Sequence, residues 1–74
     1  MMEETNVSKI RVPKDVLDGL EAVRQSGLTN MLDRPVVSRL AEEMGFDTAA
    51  EWVEAHRKEY AEGIFRGFVA QEDE

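Results

Sequence analysis

Residues 33–60, with the sequence DRPVVSRLAEEMGFDTAAEWVEAHRKEY, decide the fold class because they hold the clearest helix boundaries in the chain. Asp33 is suited to cap a helix that has Pro35 in its first turn. Gly45 is suited to end that helix, and residues 48–51 match the S/T-x-x-E capping box that begins another. This stretch therefore predicts two successive helices joined by a tight turn.

Apolar periodicity extends this interpretation to the whole chain. Apolar side chains recur at intervals of three and four within 36–44, and again in a longer stretch from residue 49 onwards. The same spacing occurs within 13–26, which a glycine follows, so a helix is predicted there as well. We therefore predict an all-α fold, a three-helix domain, with Trp52 and Leu40 near the centre of its core.

The residues before the first helix show a different pattern. Within 7–12, Ile10 and Val12 share one face of an extended chain, and Lys9 and Arg11 share the other. This period of two predicts a short N-terminal strand or extended arm, which the proline that follows also favours. Because a single strand leaves its backbone groups unpaired, we expect it to pair with another copy, pair with a partner protein, or lie across the helices.

The length of 74 residues allows one domain only. We predict a disordered acidic N-terminus at residues 1–6, a single helical domain at 7–68 and an acidic tail at 69–74. Two glycines weaken the last helix, so fraying is expected after about Phe65. No apolar stretch reaches the length of a membrane span, and the start lacks the pattern of a secretory signal. We therefore expect a soluble, intracellular protein without membrane contact.

Composition excludes most kinds of catalytic and metal site. The chain has no cysteine, which removes disulfides, thiolate zinc sites and thiol catalysis. No run of carboxylates has the spacing of a calcium loop, and no glycine-rich loop has the pattern of a phosphate site. His56, the single histidine, has no candidate nucleophile beside it. We interpret it as a core-edge residue with one hydrogen-bond partner, and expect no enzyme activity, cofactor or metal.

The charge balance is strongly acidic. Sixteen Asp and Glu residues stand against nine Lys and Arg residues, which gives a net charge of −7. Excess carboxylate with few lysines is typical of proteins kept soluble in strong brine, so a halophilic origin is expected, with an ordinary acidic protein as the alternative. Such a chain is repelled by a phosphate backbone unless its cations gather on one face. Nucleic-acid binding is therefore disfavoured.

Two DNA-binding patterns nevertheless fit in part. Residues 40–46 are similar to the first helix and turn of a helix-turn-helix unit, but Glu51 and Glu54 would face the DNA groove from its second helix. In a ribbon-helix-helix protein, Lys9 and Arg11 would enter the groove from a strand paired across a dimer. The first loop is long for that fold, and a third helix follows. Lys9 and Arg11 remain the candidate DNA contacts of an alternative function.

The interpretation that we prefer is a protein-binding module. A three-helix domain cannot bury every aromatic residue of this chain, so those near the fraying end would form an exposed patch or the contact between two copies, unless they seal the core. Polar residues of the loop before the second helix would add a recognition surface, unless they only hold their own turn. Aromatic residues and arginines are common at such contacts. The candidate contacts are Phe65, Phe68, Arg57, Arg66, Asn30 and Met31.

Several segments resemble a family of small phage and prophage proteins known as domain of unknown function 5049. The most specific are residues 29–33 (TNMLD) and 43–46 (EMGF), followed by 52–54 (WVE). The resemblance covers residues 9–67 and departs at 47–50 (DTAA), where bulkier residues are expected. The biochemical role of the family is not established, so no site residue can be carried over. The resemblance implies a viral or prophage gene, often among packaging and DNA-modification genes.

Together these observations predict a small non-enzymatic accessory or adaptor protein, encoded by a virus or prophage, that acts through contacts with an unknown protein partner. A homodimer is compatible with the surplus of apolar side chains. The expected location is the cytoplasm of the host cell, with association with the virion as an alternative. The alternative functions are a DNA-binding regulator and a minor virion or packaging component. With its acidic composition, a virus of a halophilic archaeon is the expected source.

Overall fold

The computed structural model describes residues 9–71, which form four helices and two short strands. It bears out the mostly helical prediction but counts one helix more than the three predicted, and it adds a small sheet. No helix within residues 9–71 is long and apolar enough to cross a membrane. The predicted disorder of residues 1–6 lies outside the described part. In chain order the elements are β1 (Ile10–Val12), α1 (Lys14–Ser26), α2 (Arg34–Glu43), α3 (Asp47–Ala55), α4 (Arg57–Arg66) and β2 (Phe68–Ala70).

The N-terminal strand finds its partner within the same chain. β1 pairs with β2 in parallel, with Arg11 opposite Val69. The Ile10 N–H donates to the Gly67 carbonyl at 2.9 Å, and the Gln71 N–H donates to the Val12 carbonyl at 2.7 Å. Parallel strands need a long crossover connection, and all four helices form it here. This arrangement differs from the three that were expected of the arm, and it places Val69 and Ala70 in a strand although they were assigned to the acidic tail.

The core consists mainly of small aliphatic side chains. Gly19 of α1 is buried, and a Cβ there would lie 2.5 Å from the Cβ of Ala49, so α1 and α3 approach closely at this point. Such close packing leaves little room for large side chains at the centre. Trp52 and Leu40 were expected there, but they are half-buried and pack against the outside of the core. The buried residues are Val12, Val16, Leu20, Val23, Val37, Ala41, Ala49, Ala50, Val53 and Tyr60.

His56 divides the predicted third helix into α3 and α4. Its backbone leaves the helical region, with φ −125° and ψ 56°. Its ring stacks on Trp52, with centroids 4.8 Å apart, and its Nδ1 lies 3.1 Å from the Trp52 carbonyl oxygen. The His56 N–H also donates to the Trp52 carbonyl, at 2.8 Å, so the backbone bond and the ring contact both join His56 to Trp52 at the break. The single-helix prediction was wrong here, whereas the prediction of a half-buried histidine with one hydrogen-bond partner is confirmed.

The helix boundaries lie close to the predicted positions, but the predicted side-chain capping bonds do not form. Gly27 ends α1 in the left-handed conformation, with φ 69°, as expected of a C-terminal glycine. Asp33 does precede α2, but its side chain makes no capping hydrogen bond. The capping box at 48–51 was wrong, because the cap position is Phe46, two residues before Thr48, and α3 begins without a side-chain cap. These helix starts are therefore fixed by packing rather than by side-chain caps.

Candidate protein-contact surface

An apolar groove lies between α1 and α4, next to the start of β2. We call it the α1/α4 groove. It has a volume of about 220 Å³, and apolar side chains from four parts of the chain form its walls. They are half-buried or lie at the edge of the core, so the groove is a continuation of the core that opens to the surface. Its apolar walls are Leu17 and Leu20 of α1, Met31 of the loop, Ile64 of α4 and Phe68 of β2.

Two glycines shape the α4 side of this groove. A Cβ at Gly63 would lie 2.2 Å from the ring carbons of Phe68, so only glycine lets this ring lie directly against the helix. Gly67 has φ 98°, a left-handed value that favours glycine, and it redirects the chain from α4 into β2. Gly63 and Gly67 were expected only to weaken the last helix, but together they allow the Phe68 ring to pack against α4.

A charged pair forms the rim of the groove on α1. Glu21 and Arg24 both line it, and the Arg24 guanidinium donates to the Glu21 carboxylate. The two residues are three apart and share the helix face of Leu17 and Leu20. The groove thus has an apolar floor and a rim that offers both a cation and an anion. This combination is typical of protein contact sites, which have an apolar centre and a polar border.

The loop from 27 to 33 borders the groove and exposes two large apolar side chains. Leu28 is 67% exposed and Leu32 is 58% exposed. The loop is nevertheless held in place, because the Tyr60 hydroxyl donates to the Met31 carbonyl at 2.5 Å. Asn30 holds the turn itself, since its Oδ1 accepts the Leu32 N–H at 2.8 Å. An exposed apolar loop with a fixed backbone is well prepared for binding because little freedom is lost.

Aromatic rings join the groove to the rest of the domain. Phe68 meets Trp52 edge-on, with centroids 6.1 Å apart, and lies 5.8 Å from the Tyr60 ring. Burial raises the pKa of Tyr60 to about 12 because its anion would lose solvation. Burial thus favours the protonated hydroxyl, which is the form that donates to the Met31 carbonyl. Phe68 thus joins the groove wall to the rings of Trp52 and Tyr60.

The six predicted contact residues do not form one surface. Met31 and Phe68 line the groove, and Asn30 is next to it in the loop. Phe65 is 81% exposed on the outer side of α4, and Arg66 is exposed beside it. Arg57 is at the opposite end of the same helix, where its Nη2 is 3.6 Å from Glu54 Oε1.

The two candidate DNA contacts lie on the outer side of the small sheet. Arg11 is exposed and shares its register position with Val69, and Lys9 is exposed just before β1. A Cβ at Gly67 would be 3.5 Å from Lys9 Nζ, which places this ammonium group close to the end of α4. β1 pairs with β2 of its own chain, whereas a ribbon-helix-helix protein pairs this strand across a dimer.

A larger but more open groove between α2 and α3 is acidic. It has a volume of about 510 Å³, and the buried Ser38 at its base donates to the Ala50 carbonyl at 3.2 Å. Arg34 Nη1, 2.8 Å from Glu54 Oε2, neutralises one of its carboxylates. Within residues 9–71, no three His, Asp or Glu side chains come together in a way that could hold a metal ion. The carboxylates lining the groove are Glu42, Asp47, Glu51 and Glu54.

Sequence reasoning missed three walls of the α1/α4 groove. Leu17 and Leu20 had been assigned to the apolar stripe of the first helix, and Ile64 to that of the last. A stripe shows which side chains turn inward, but it does not show whether a neighbouring helix covers all of them. The break at His56 determines where α4 lies, and no periodic pattern signals that break.

Comparisons with known proteins give a family and nothing more specific. No curated protein and no solved structure matches the chain. The model of one family, described as a domain of unknown function (DUF5049), matches residues 13–68, which is most of the chain. This match covers all four helices and the first residue of β2. The chain therefore belongs to the family of domain of unknown function 5049.

Proposed function

We propose that this protein is a non-enzymatic adaptor that binds a protein partner through the α1/α4 groove and the loop from 27 to 33. The observation that carries the proposal is the apolar groove itself, which opens to the surface beside the exposed Leu28 and Leu32. Exposed apolar patches often mark sites of contact with another protein.

The size of the groove favours a protein side chain over a small-molecule ligand. Its volume of about 220 Å³ is below the roughly 300–1,000 Å³ of pockets for drug-sized molecules. It suits one or two apolar side chains of a partner. The Glu21–Arg24 pair at the rim would orient the polar groups beside them. The expected partner is thus a segment with an apolar anchor and flanking polar residues.

The proposed setting is an accessory protein of a virus or prophage, acting in the cytoplasm of the host cell or in the particle. The resemblance of segments 29–33 and 43–46 to phage and prophage proteins supports this setting. A fixed copy number in purified particles would identify a virion component. A halophilic source is part of the same proposal and is supported by the net charge of −7.

The groove is tested by affinity capture from host cells at native salt, with nuclease treatment and mass spectrometry. The test variant combines Leu17→Gln with Ile64→Gln, two half-buried wall residues. The matched control is Met44→Gln, because Met44 is an exposed apolar residue outside the groove. We expect one protein at near-stoichiometric amount with the wild type and the control, and its loss with the double variant.

Circular dichroism establishes that the double variant is folded before its capture result is used. Equal recovery of the partner by all three proteins would rule out the groove as the contact. If nuclease treatment removes every partner from the wild-type sample, the adaptor proposal gives way to a DNA-binding regulator. That alternative requires that Lys9→Ala combined with Arg11→Ala weaken DNA binding and reduce its salt dependence.

A further inference from the structure

The two strands of the sheet expose edges of different length. The bonds from Ile10 N–H to Gly67 and from Gln71 N–H to Val12 fix which backbone groups face the seam between the strands. Because these groups alternate along a strand, only Arg11 directs its N–H and carbonyl to the outer edge of β1. Two residues after Arg11, the chain has Pro13, which has no N–H. Within Ile10–Val12, the outer edge of β1 therefore offers one N–H and one carbonyl to another strand.

The outer edge of β2 is longer. By the same alternation, Phe68 and Ala70 both direct their N–H and carbonyl groups away from β1. No hydrogen bond to these four groups occurs within the described part of the chain. An unpaired edge of this kind is a template for strand addition. Strand addition was expected at residues 7–12, of which 7 and 8 lie outside the described part, and β2 offers a second free edge at the other end of the domain.

We propose that β2 pairs with β2 of a second copy, antiparallel and with the two-fold axis at Val69. In this register Phe68 of each copy is opposite Ala70 of the other, and the four free groups on each strand bond one another. The two Val69 residues then form a non-hydrogen-bonded pair, the position where opposing side chains lie closest. The edge is thus complementary to itself, as a two-fold interface requires.

Side chains around β2 favour a second copy over an unrelated strand. Val69 is 39% exposed on the outer face, where a two-fold axis would bring the two valines together.

The edge alone would bury too little surface for a stable dimer, which needs about 1,000 Å² in total. Phe65 supplies further apolar area, because it is 81% exposed and lies four residues before Val69. The net charge of −7 on each copy opposes association. Since salt screens this repulsion, the dimer should strengthen as ionic strength rises.

Charge exchange at residue 69 tests the register. Sedimentation equilibrium over a concentration series should show a dimer for the wild type at high salt, and monomers for Val69→Lys and for Val69→Glu, because like charges would face each other. An equimolar mixture of the two variants should dimerise again, since lysine then faces glutamate. Persistence of the dimer in either single variant, or a mixture that stays monomeric, would overturn the proposal, as would a wild type that is monomeric throughout.

Two proline variants separate the edges. Ala70→Pro removes an N–H that points to the outer edge of β2, and Arg11→Pro removes the matching N–H of β1. Neither N–H bonds across the β1–β2 seam, so both variants should keep the fold, which circular dichroism and thermal unfolding verify. Ala70→Pro should abolish the dimer and Arg11→Pro should retain it, and the reverse result would assign the interface to β1.

The double variant of the groove, Leu17→Gln with Ile64→Gln, leaves the edge of β2 intact. The dimer should therefore persist in it whether or not the adaptor proposal holds.

Discussion

Tyr60 links α4 to the loop that borders the groove. It is buried, and its hydroxyl donates to the Met31 carbonyl at 2.5 Å. Tyr60→Phe keeps the ring but leaves that carbonyl without its donor, so we expect a loss of about 1–2 kcal/mol in the free energy of unfolding. Chemical denaturation followed by the fluorescence of the single tryptophan measures it. An unchanged midpoint would show that the hydroxyl contributes nothing to the loop.

The pKa of Tyr60 adds a pH dependence at the same residue. Burial raises this pKa from 10.0 to about 12, so the folded state favours the protonated phenol. The stabilisation from the shift is complete below pH 10 and is lost as the pH rises through 12. Wild-type stability should therefore fall more steeply than that of Tyr60→Phe between these pH values. Equal alkaline slopes in the two proteins would contradict the burial argument.

The contact between α4 and β2 depends on the absence of a side chain at Gly63. Gly63→Ala would improve helix propensity by about 1 kcal/mol. The new Cβ would lie 2.2 Å from the Phe68 ring, and such overpacking costs typically 1–3 kcal/mol. We expect a net loss of stability and faster hydrogen exchange at the Ile10 amide, which bonds across the sheet.

The control for this prediction is a double-mutant cycle. In a Phe68→Ala background the ring is gone, so Gly63→Ala should become neutral or stabilising through helix propensity alone. If Gly63→Ala is equally destabilising in both backgrounds, the glycine has a role other than giving space to Phe68.

The same elements show how far sequence reasoning extends. α1 and α2 could be predicted because each has a clear apolar stripe and a glycine after its last residues. The division at His56 could not, because it depends on ring stacking between two residues that both fit a continuous helix. β2 could not either, because its three residues are all apolar and show no alternation, and its partner lies at the other end of the domain. The α1/α4 groove depends on both the break at His56 and the position of β2. For this reason only Met31 and Phe68, among its wall residues, were predicted as contact residues.

At the scale of the whole molecule, repulsion among carboxylates should limit stability at low salt. The net charge is −7, and four of the carboxylates line the groove between α2 and α3, where Glu54 is the one with cationic partners among residues 9–71. The melting temperature should therefore rise with added salt, most steeply at low concentration, because the Debye length falls from about 30 Å at 0.01 M to about 10 Å at 0.1 M.

A variant with Glu42→Gln, Asp47→Asn and Glu51→Gln should melt at a higher temperature than the wild type at low salt, and its melting temperature should depend less on salt. A matched variant with Lys58→Gln removes a cation from exposed α4 and should shift in the opposite direction. Equal salt responses of the wild type and the triple variant would show that the acidic groove is not where the repulsion acts.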